Sequence, residues 1–385
     1  MRNTKIMICA GEISGDLYGA SLVEEIHQLS DRTIEFFGSG GKRMARAGVE
    51  LISELARFSA VGTLEVLPSV VPLKREMNRL EQELKRRGPE LLVLIDNQGF
   101  NWQLAKRVKD HDLKIVYYFP PHVWLFNRRS VRRYVQTFDR IISILPMEYE
   151  VYRQAGGNVT YVGHPLLDIV RTALAKVPDR EVFLHRYGLD DAAPIISLIP
   201  GSRRREITLL LPTLLTAAER LATEQQAQFL FPVADRSFLP EIEAPLSRTA
   251  LSVHLIFEDE EKYAALSHSD LLIGSSGTVT LEAAILEVPM VACYRSTHLT
   301  YWVAKYLYNI RYISMPNLLL DERVMPELVH PRDLNGDALA REGVRLLNDQ
   351  EARDRIVQGY RDAVAKLGAE GAVTRAANVI LEMVG

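Results

Sequence analysis

Gly274-Ser275-Ser276-Gly277-Thr278-Val279-Thr280-Leu281-Glu282 follows a short apolar run, Leu271 to Ile273, and opens a helical pattern that ends near Glu287. A strand, a turn of small residues and a helix start make an anion site. The first N–H groups of a helix have no intrahelical acceptor, and the helix dipole is positive at that end. Glu282 stands about one turn further in, where a carboxylate can hold ribose hydroxyls. Ser276, Gly277, Thr278 and Glu282 therefore suit a sugar-nucleotide diphosphate, although small residues also serve a strand-to-helix turn that binds nothing.

Three further turns carry candidate groups. Gly11-Glu12-Ile13-Ser14-Gly15-Asp16 follows the first apolar run directly. Its glycines allow a tight turn and close approach of a ligand, while Ser14 or Asp16 can cap the next helix. Glu12, Ser14, Gly15 and Asp16 are the candidates for a substrate loop. Pro200-Gly201-Ser202-Arg203 follows Ile195–Ile199 and leads to Glu206 and a helix. There Arg203, a fixed cation, can neutralise a diphosphate leaving group beside Ser202 and Glu206, whereas Arg204 and Arg205 read as surface charge. Phe37-Gly38-Ser39-Gly40-Gly41 resembles half of a dinucleotide fingerprint, but its glycines lack the required spacing, and a plain turn is the better reading.

Asp96 ends the run Leu91–Ile95, the position from which catalytic groups project in an α/β sheet, and Asn101 follows it. An acceptor hydroxyl needs a base within hydrogen-bond reach, which a carboxylate at a strand end can supply; a helix cap is the alternative. His122 and His164 lie in the proline-flanked loops Pro120-Pro121-His122 and His164-Pro165, where binding and simple backbone bonding are both open. Thr63 to Arg87 carries Leu64, Val66, Leu67, Val70, Val71 and Leu73, then Lys74, Arg75, Lys85, Arg86 and Arg87. Apolar residues flanked by cations suit contact with an anionic lipid surface, and a core-packed helix interrupted by Pro68 and Pro72 is the competing reading. Arg128, Arg129, Arg132 and Arg133 form a second basic cluster, solvated by default.

These groups need a scaffold, and the hydrophobic pattern supplies one. Short apolar runs alternate with helical patterns: Lys5–Cys9, Ile34–Phe37, Leu91–Ile95, Ile115–Phe119, Ile141–Leu145 and Val159–Val162, then Ile195–Ile199, Phe229–Val233, Val253–Phe257, Leu271–Ile273 and Met290–Cys293. Runs apolar on both faces and separated by helices predict parallel sheets covered on both sides. Two such series in 385 residues predict an α/β protein of two doubly wound, Rossmann-like domains facing a cleft, with ligands at the C-terminal ends of the strands. The polar stretch Arg171–Pro194 is the expected boundary: residues 1–170 form the first domain, 171–348 the second, and 349–385 a helical tail that can pack back on the first.

Lysine plus arginine total 46 against 49 aspartate plus glutamate, a balance of −3 that argues against broad nucleic-acid binding. Cys9 and Cys293, both in apolar runs, read as buried thiols in a reducing compartment. The sequence has no secretory signal and no apolar run of about 20 residues, so the expectation is a cytoplasmic protein that touches membrane only at its surface. Metal-ligand patterns, a Walker loop and a Gly-x-Ser-x-Gly elbow are absent from the sequence, and no cofactor is expected. A homodimer is compatible with the sequence.

Taken together, Ala10-Gly11-Glu12-x-Ser14-Gly15-Asp16, Val162-Gly163-His164-Pro165, Pro200-Gly201-Ser202-Arg203-x-x-Glu206, Gly277-Thr278-x-Thr280-Leu281-Glu282, Pro289-Met290-Val291, Tyr294-Arg295 and Pro316-Asn317-Leu318-Leu319 resemble the lipid-A-disaccharide synthase family, in order, over roughly residues 5–330. The resemblance implies a metal-independent, inverting glycosyltransferase of the GT-B type. It would move diacylglucosamine from a UDP-diacylglucosamine donor to a lipid acceptor, 2,3-diacylglucosamine 1-phosphate, at the inner-membrane surface. It also implies that the second domain holds UDP through Gly277, Thr278, Glu282, Arg203 and Asn317, while the first holds the acceptor and the base. One departure falls on that base. The family usually reads Ile-Asp-x-Pro-Asp-Phe-Asn where this chain has Ile95-Asp96-Asn97-Gln98-Gly99-Phe100-Asn101, so its second Asp is Gly99. A second departure is Pro120-Pro121-His122-Val123-Trp124-Leu125-Phe126 in place of Ser-Pro-x-Val-Trp-Ala-Trp. Both lie on the acceptor side, where Asp96 is the best available base. Another UDP-sugar enzyme, such as a 2-epimerase, and a non-catalytic relative that binds UDP-sugar or lipid are the alternatives.

Overall fold

All eleven expected apolar runs are strands, because segments buried on both faces satisfy their backbone only beside one another. The computed structural model describes residues 4–54, 66–123, 130–257, 259–295, 311–330 and 332–384. They divide into two units, Met1–Asp168 with Leu367–Gly385, and Ile169–Lys366.

In the first unit, β1 (Thr4–Ala10), β2 (Ile34–Ser39), β3 (Glu50–Ser53), β4 (Leu91–Ile95), β5 (Lys114–Tyr118), β6 (Arg140–Ser143) and β7 (Val159–Tyr161) form a parallel sheet in the order β3-β2-β1-β4-β5-β6-β7. Its centre is dry: Ile6, Met7, Ile8, Cys9, Leu91, Leu92, Leu94 and Ile95 have no exposed surface. The crossovers are α1 (Ile13–Leu29), α2 (Lys42–Arg46), α3 (Val66–Arg87), α4 (Gln98–Val108), α5 (Val131–Thr137) and α6 (Pro146–Gln154), and α7 (Leu166–Leu174) follows β7. The order reverses beside β1, which opens a crevice at the C-terminal ends of β1 and β4.

The second unit begins with α8 (Arg180–Tyr187) and β8 (Ile195–Ile199), then α9 (Arg204–Gln225), β9 (Gln228–Pro232), α10 (Leu239–Leu246), β10 (Val253–Ile256), α11 (Asp259–Ser267), β11 (Leu271–Ser275), α12 (Thr278–Ile285), β12 (Met290–Cys293), α13 (Met315–Leu320) and β13 (Glu327–Leu328). Its sheet, also parallel, runs β10-β9-β8-β11-β12-β13, and the reversal falls between β8 and β11. The two strands without an expected counterpart, β3 and β13, are both edge strands and short, and they lack a continuous apolar run.

The tail expected from residue 349 is divided between the units. After α14 (Gly336–Asn348), α15 (Gln350–Ala365) belongs to the second unit, where Tyr360 is fully buried and Arg361 pairs with Glu287 at 2.6 Å. Only α16 (Ala372–Val384) and its lead-in return to the first. The Asp168 carboxylate accepts from Gly371 N at 2.7 Å and Val373 N at 3.0 Å, capping α16, and Arg375 donates to the Val162 carbonyl at 2.9 Å.

Other expectations shift as well. Within the stretch Thr63 to Arg87, residues 63–65 and the side chains of 66–71 lie outside the described residues; α3 runs on through Pro72. Its last cations are locally paired, Lys85 with Glu81 at 2.7 Å, Arg86 with Glu83 at 2.6 Å and Arg87 with Glu50 at 2.5 Å, so three of the five flanking charges are already balanced within the fold. Trp124 to Phe126, Arg128 and Arg129 also lie outside the described residues. Both cysteines are free and buried, and burial pushes the Cys9 thiol up to about 11 and the Cys293 thiol up to about 12.

The close approach of β8 to β11 admits no side chain at Gly274, where a Cβ would stand 2.1 Å from the Ile199 carbonyl oxygen. Gly274→Ala should therefore lower stability by about 3 kcal/mol, since backbone and not a flexible side chain must move. A drop in the denaturant midpoint with the circular dichroism spectrum retained is the expected result, and an unchanged midpoint would contradict it.

Candidate functional site

In the second unit the two adjacent strands at the reversal end in two loops. Pro200 to Arg203 leaves β8, and Ser276-Gly277 leaves β11. The register that pairs Gly274 with Ile199 brings the loops side by side. Gly277 is the N-cap of α12 and has no side chain with which to cap it; a Cβ there would meet nothing within 4 Å. Thr278 and Val279 are half-buried behind it, so among the described residues the helix start offers backbone N–H donors and the positive end of its dipole into open space. Ser276 is turned away from that space, donating to the Ile313 carbonyl at 3.0 Å.

Arg203 is the N-cap residue of α9, with its side chain 38% exposed and 3.5 Å from Glu206 Oε1. The other oxygen of Glu206 accepts from Ser202 N at 3.1 Å. Glu206 thus shapes the Pro200–Arg203 turn and orients its arginine; its carboxylate is occupied by the loop itself, which is a correction to its expected place as a ligand group.

Asn317 needs the same correction. It is fully buried, and its amide donates to the Met325 carbonyl at 3.0 Å and to Glu327 Oε1 at 2.9 Å, while its oxygen accepts from Val324 N at 2.8 Å and Met325 N at 2.9 Å. All of its hydrogen-bonding capacity is used in tying α13 to β13. Glu327 completes this knot by accepting from Ser314 N at 2.8 Å and Ile313 N at 3.1 Å, a role with no signal in the sequence, since its partners lie 13 and 14 positions away. Glu282 is 2% exposed and is met by Lys262 Nζ at 2.7 Å and Tyr263 OH at 3.0 Å on Oε1, with Lys262 also 2.8 Å from Oε2. One carboxylate oxygen therefore faces a single cation, and these two partners on α11 were not anticipated.

In the first unit the corresponding crevice lies between the loops after β1 and β4. Asn97 sits over Gly11, where a Cβ would stand 1.8 Å from its Nδ2, so the glycine makes room for that side chain. Asp96 and Asn97 both have left-handed backbone conformations, φ 52° and 41°. This turn is pinned from inside: the Asp96 carbonyl accepts from Asn101 Nδ2 at 2.8 Å and Tyr117 OH at 3.0 Å. Asn101, fully buried, also donates to the Ile95 carbonyl at 3.0 Å, so its amide nitrogen holds the strand end, while its Oδ1 is buried with no hydrogen-bond partner among the described residues. Asp16 is likewise structural. Its carboxylate accepts from Gly41 N at 2.7 Å, Met44 N at 3.0 Å and Arg43 N at 3.1 Å, capping α2. Gly15 is buried against Ala10, whereas Glu12 and Ser14 are half-buried at the start of α1.

His122 and Glu148 form a pair that the sequence did not announce. Glu148, in the first turn of α6, has no exposed surface, and its Oε1 lies 2.5 Å from His122 Nδ1. The pair spans 26 positions, so only a lone carboxylate at a helix start hinted at it. Surrounding protein opposes charge on the imidazole, but the Glu148 carboxylate and its hydrogen bond outweigh this, with Asp96 adding to them, so the His122 pKa stands above its ordinary 6.5. His164 behaves oppositely. Burial, with His122 nearby, pushes it down to about 3, and its Nδ1 accepts from Leu166 N at 3.2 Å. It is a neutral structural histidine, packed edge-on against Tyr18 and Phe119.

Comparison with known proteins bears on this geometry. A family model described as lipid-A-disaccharide synthetase matches residues 6–383. A lipid-A-disaccharide synthase from Geobacter sulfurreducens is 38% identical over 382 residues, covering 99% of this chain and 97% of that protein. Among solved structures, the UDP-GlcNAc 2-epimerase from Neisseria meningitidis bound to UDP-GlcNAc aligns with a TM-score of 0.66 at 12% identity, over 98% of this chain and 100% of that one. The calicheamicin glycosyltransferase CalG4 aligns with a TM-score of 0.59 at 14% identity, over 100% and 99%. At these identities the structural likeness speaks to the fold, two parallel Rossmann-like sheets of the GT-B type.

Removing the Asn317 side chain strands the buried Met325 N–H group and takes a donor from the Met325 carbonyl and from Glu327, while Val324 N keeps the Glu322 carbonyl at 3.0 Å. Asn317→Ala should cost about 2–4 kcal/mol of stability. Equilibrium unfolding without any ligand measures it. A direct ligand contact would instead leave the ligand-free protein as stable as before.

Proposed function

The chain belongs to the lipid-A-disaccharide synthase family, and on that premise we propose how its residues divide the reaction. It is a glycosyltransferase of lipid A biosynthesis. The donor is UDP-2,3-diacylglucosamine and the acceptor 2,3-diacylglucosamine 1-phosphate; a β-1,6-linked disaccharide 1-phosphate and UDP are the products.

The observation that carries the site assignment is the uncapped start of α12 beside the Arg203 turn at the strand reversal of the second unit. As the bond from the anomeric carbon to UDP breaks, charge develops on the diphosphate. The N–H groups of Thr278 and Val279 and the guanidinium of Arg203 are cations and dipoles fixed in advance for that charge. Glu282, with Lys262 beside it, is the group we assign to the ribose hydroxyls through its less occupied oxygen. Ser202, Glu206, Ser276 and Asn317 hold these loops in shape.

For the acceptor we propose the crevice after β1 and β4, with Glu12, Ser14 and Gly15 along the α1 start. Asp96 is the carboxylate at that edge closest in sequence to the family's usual base position, Gly99. Peripheral contact with the cytoplasmic face of the inner membrane suits two acylated substrates. Among the described residues no helix is long and apolar enough to cross a membrane, and Lys74 and Arg75 on α3 are exposed. These are the cations we assign to anionic headgroups.

Two measurements test the reading. UDP release from the donor should depend on the acceptor, and mass analysis should find the disaccharide 1-phosphate; UDP release without that product would overturn it. Arg203→Ala should lower kcat about 100-fold or more while the protein still folds, since the side chain is exposed and its loss touches the leaving group. Near-normal turnover would remove Arg203 from this role.

A further inference from the structure

We propose that His122, oriented by Glu148, is the general base that takes the proton of the acceptor hydroxyl, in place of the carboxylate this chain lacks at Gly99. The inference rests on the reading of the reaction given above and names the group that reading left unassigned.

The geometry is that of an oriented base. A buried carboxylate is costly unless it is paired, and Glu148 is paired with Nδ1 of one imidazole at 2.5 Å. Its second oxygen lies 3.4 Å from Ser143 Oγ. A carboxylate against Nδ1 holds the proton there and leaves Nε2 with the lone pair, the arrangement required of a proton acceptor. The His122 side chain is 41% exposed although Glu148 is not exposed at all, so the pair joins a buried acid to a ring that reaches the surface. The loop bearing it is also built. Tyr152 OH donates to the Pro121 carbonyl at 2.9 Å, and Val123 N folds back onto the same carbonyl at 2.6 Å. Proline-flanked and anchored twice, the histidine loses little freedom on binding substrate.

Its surroundings agree. Among the described residues, the titratable groups that bear on it include Glu148 on α6, Asp96 at the end of β4 and the neutral His164 after β7, with Tyr152 bonded to its loop. Asp96 faces the imidazole electrostatically and favours its protonated form, which steadies the imidazolium once the proton has moved. At Gly99, by contrast, a Cβ would meet nothing within 4 Å, so the side chain that usually occupies this edge is simply missing.

Nε2 of His122 takes the proton of the acceptor 6-hydroxyl as its oxygen bonds to the anomeric carbon of the donor. The bond from that carbon to the β-phosphate oxygen breaks, its electron pair stays on UDP, and the imidazolium returns its proton to solvent.

Steady-state kinetics on the full chain with both lipid substrates test it. His122→Asn should lower kcat about 100-fold with little change in the donor KM. Because His122 must be neutral to act, kcat/KM should rise with pH through its pKa. Glu148 raises that pKa, so Glu148→Gln should move the acidic limb to lower pH, a shift that a merely structural role would not produce. Gly99→Asp placed in the His122→Asn background should recover at least about 10-fold. A His122→Asn protein that keeps wild-type kcat and the same pH limb overturns the proposal, as does a limb that disappears with Asp96→Asn and survives His122→Asn. A wild-type protein that forms no acceptor-dependent disaccharide would instead overturn the reading of the reaction on which this rests.

Discussion

The candidate sites depend on a steric constraint at the reversal points of the two sheets, where neighbouring elements approach too closely to leave room for a Cβ. Gly274 lies against the Ile199 carbonyl and Gly11 lies under Asn97. Each absence of a side chain brings two strand-end loops together, and each pair of loops forms at the C-terminal edge where a parallel sheet leaves a crevice. In the second unit this exposes the start of α12, whose dipole and unpaired N–H groups cannot be screened by a cap that glycine does not have. A longer side chain at either position would push the loops apart and remove the site without altering any group that touches a ligand.

The polar residues around these loops follow from burial. A hydrogen-bonding group removed from water must find a partner within the protein, so the most buried ones are taken up by the backbone. Asn317, Asn101 and Asp16 are each below 5% exposure, and each is bonded to two or more main-chain groups. They fix the loops, whereas the start of α12 and the partly exposed Arg203 stand at the loop ends. These three buried groups serve geometry, whereas Glu282, equally buried, is met by side chains and not by the backbone. The His122–Glu148 pair has the same division of labour, with a buried carboxylate fixing a partly exposed ring.

The acceptor side shows how one altered residue changes the demands on its neighbours. A glycine in the first turn of α4 leaves that edge without a carboxylate at residue 99, and the imidazole on the neighbouring strand's loop is oriented and raised in pKa by a buried acid. The left-handed turn at Asp96 and Asn97 is pinned by Asn101 and Tyr117, so the edge is held in shape whatever side chain stands at residue 99.

The sequence alone determined the layers, the eleven principal strands and the strand-end loops that carry the candidate residues. Continuous apolar runs and small-residue turns are local patterns, and a parallel sheet with ligands at its strand ends is their direct consequence. It also singled out Arg203 and the Thr278 helix start as candidates, because a cation and a helix N-terminus act through their own chemistry. Only the tertiary structure decided which polar residues face inward. Asp16, Asn101, Glu206 and Asn317 are spelled like ligand contacts, yet their bonding depends on partners brought close by folding. It also decided that the tail divides at Lys366, since α15 and α16 are both helical in pattern and differ only in what they pack against. The pairing of His122 with Glu148 belongs to the same class. A loop histidine becomes an oriented base only when a buried acid from another element is set against it, and no sequence spacing encodes that contact.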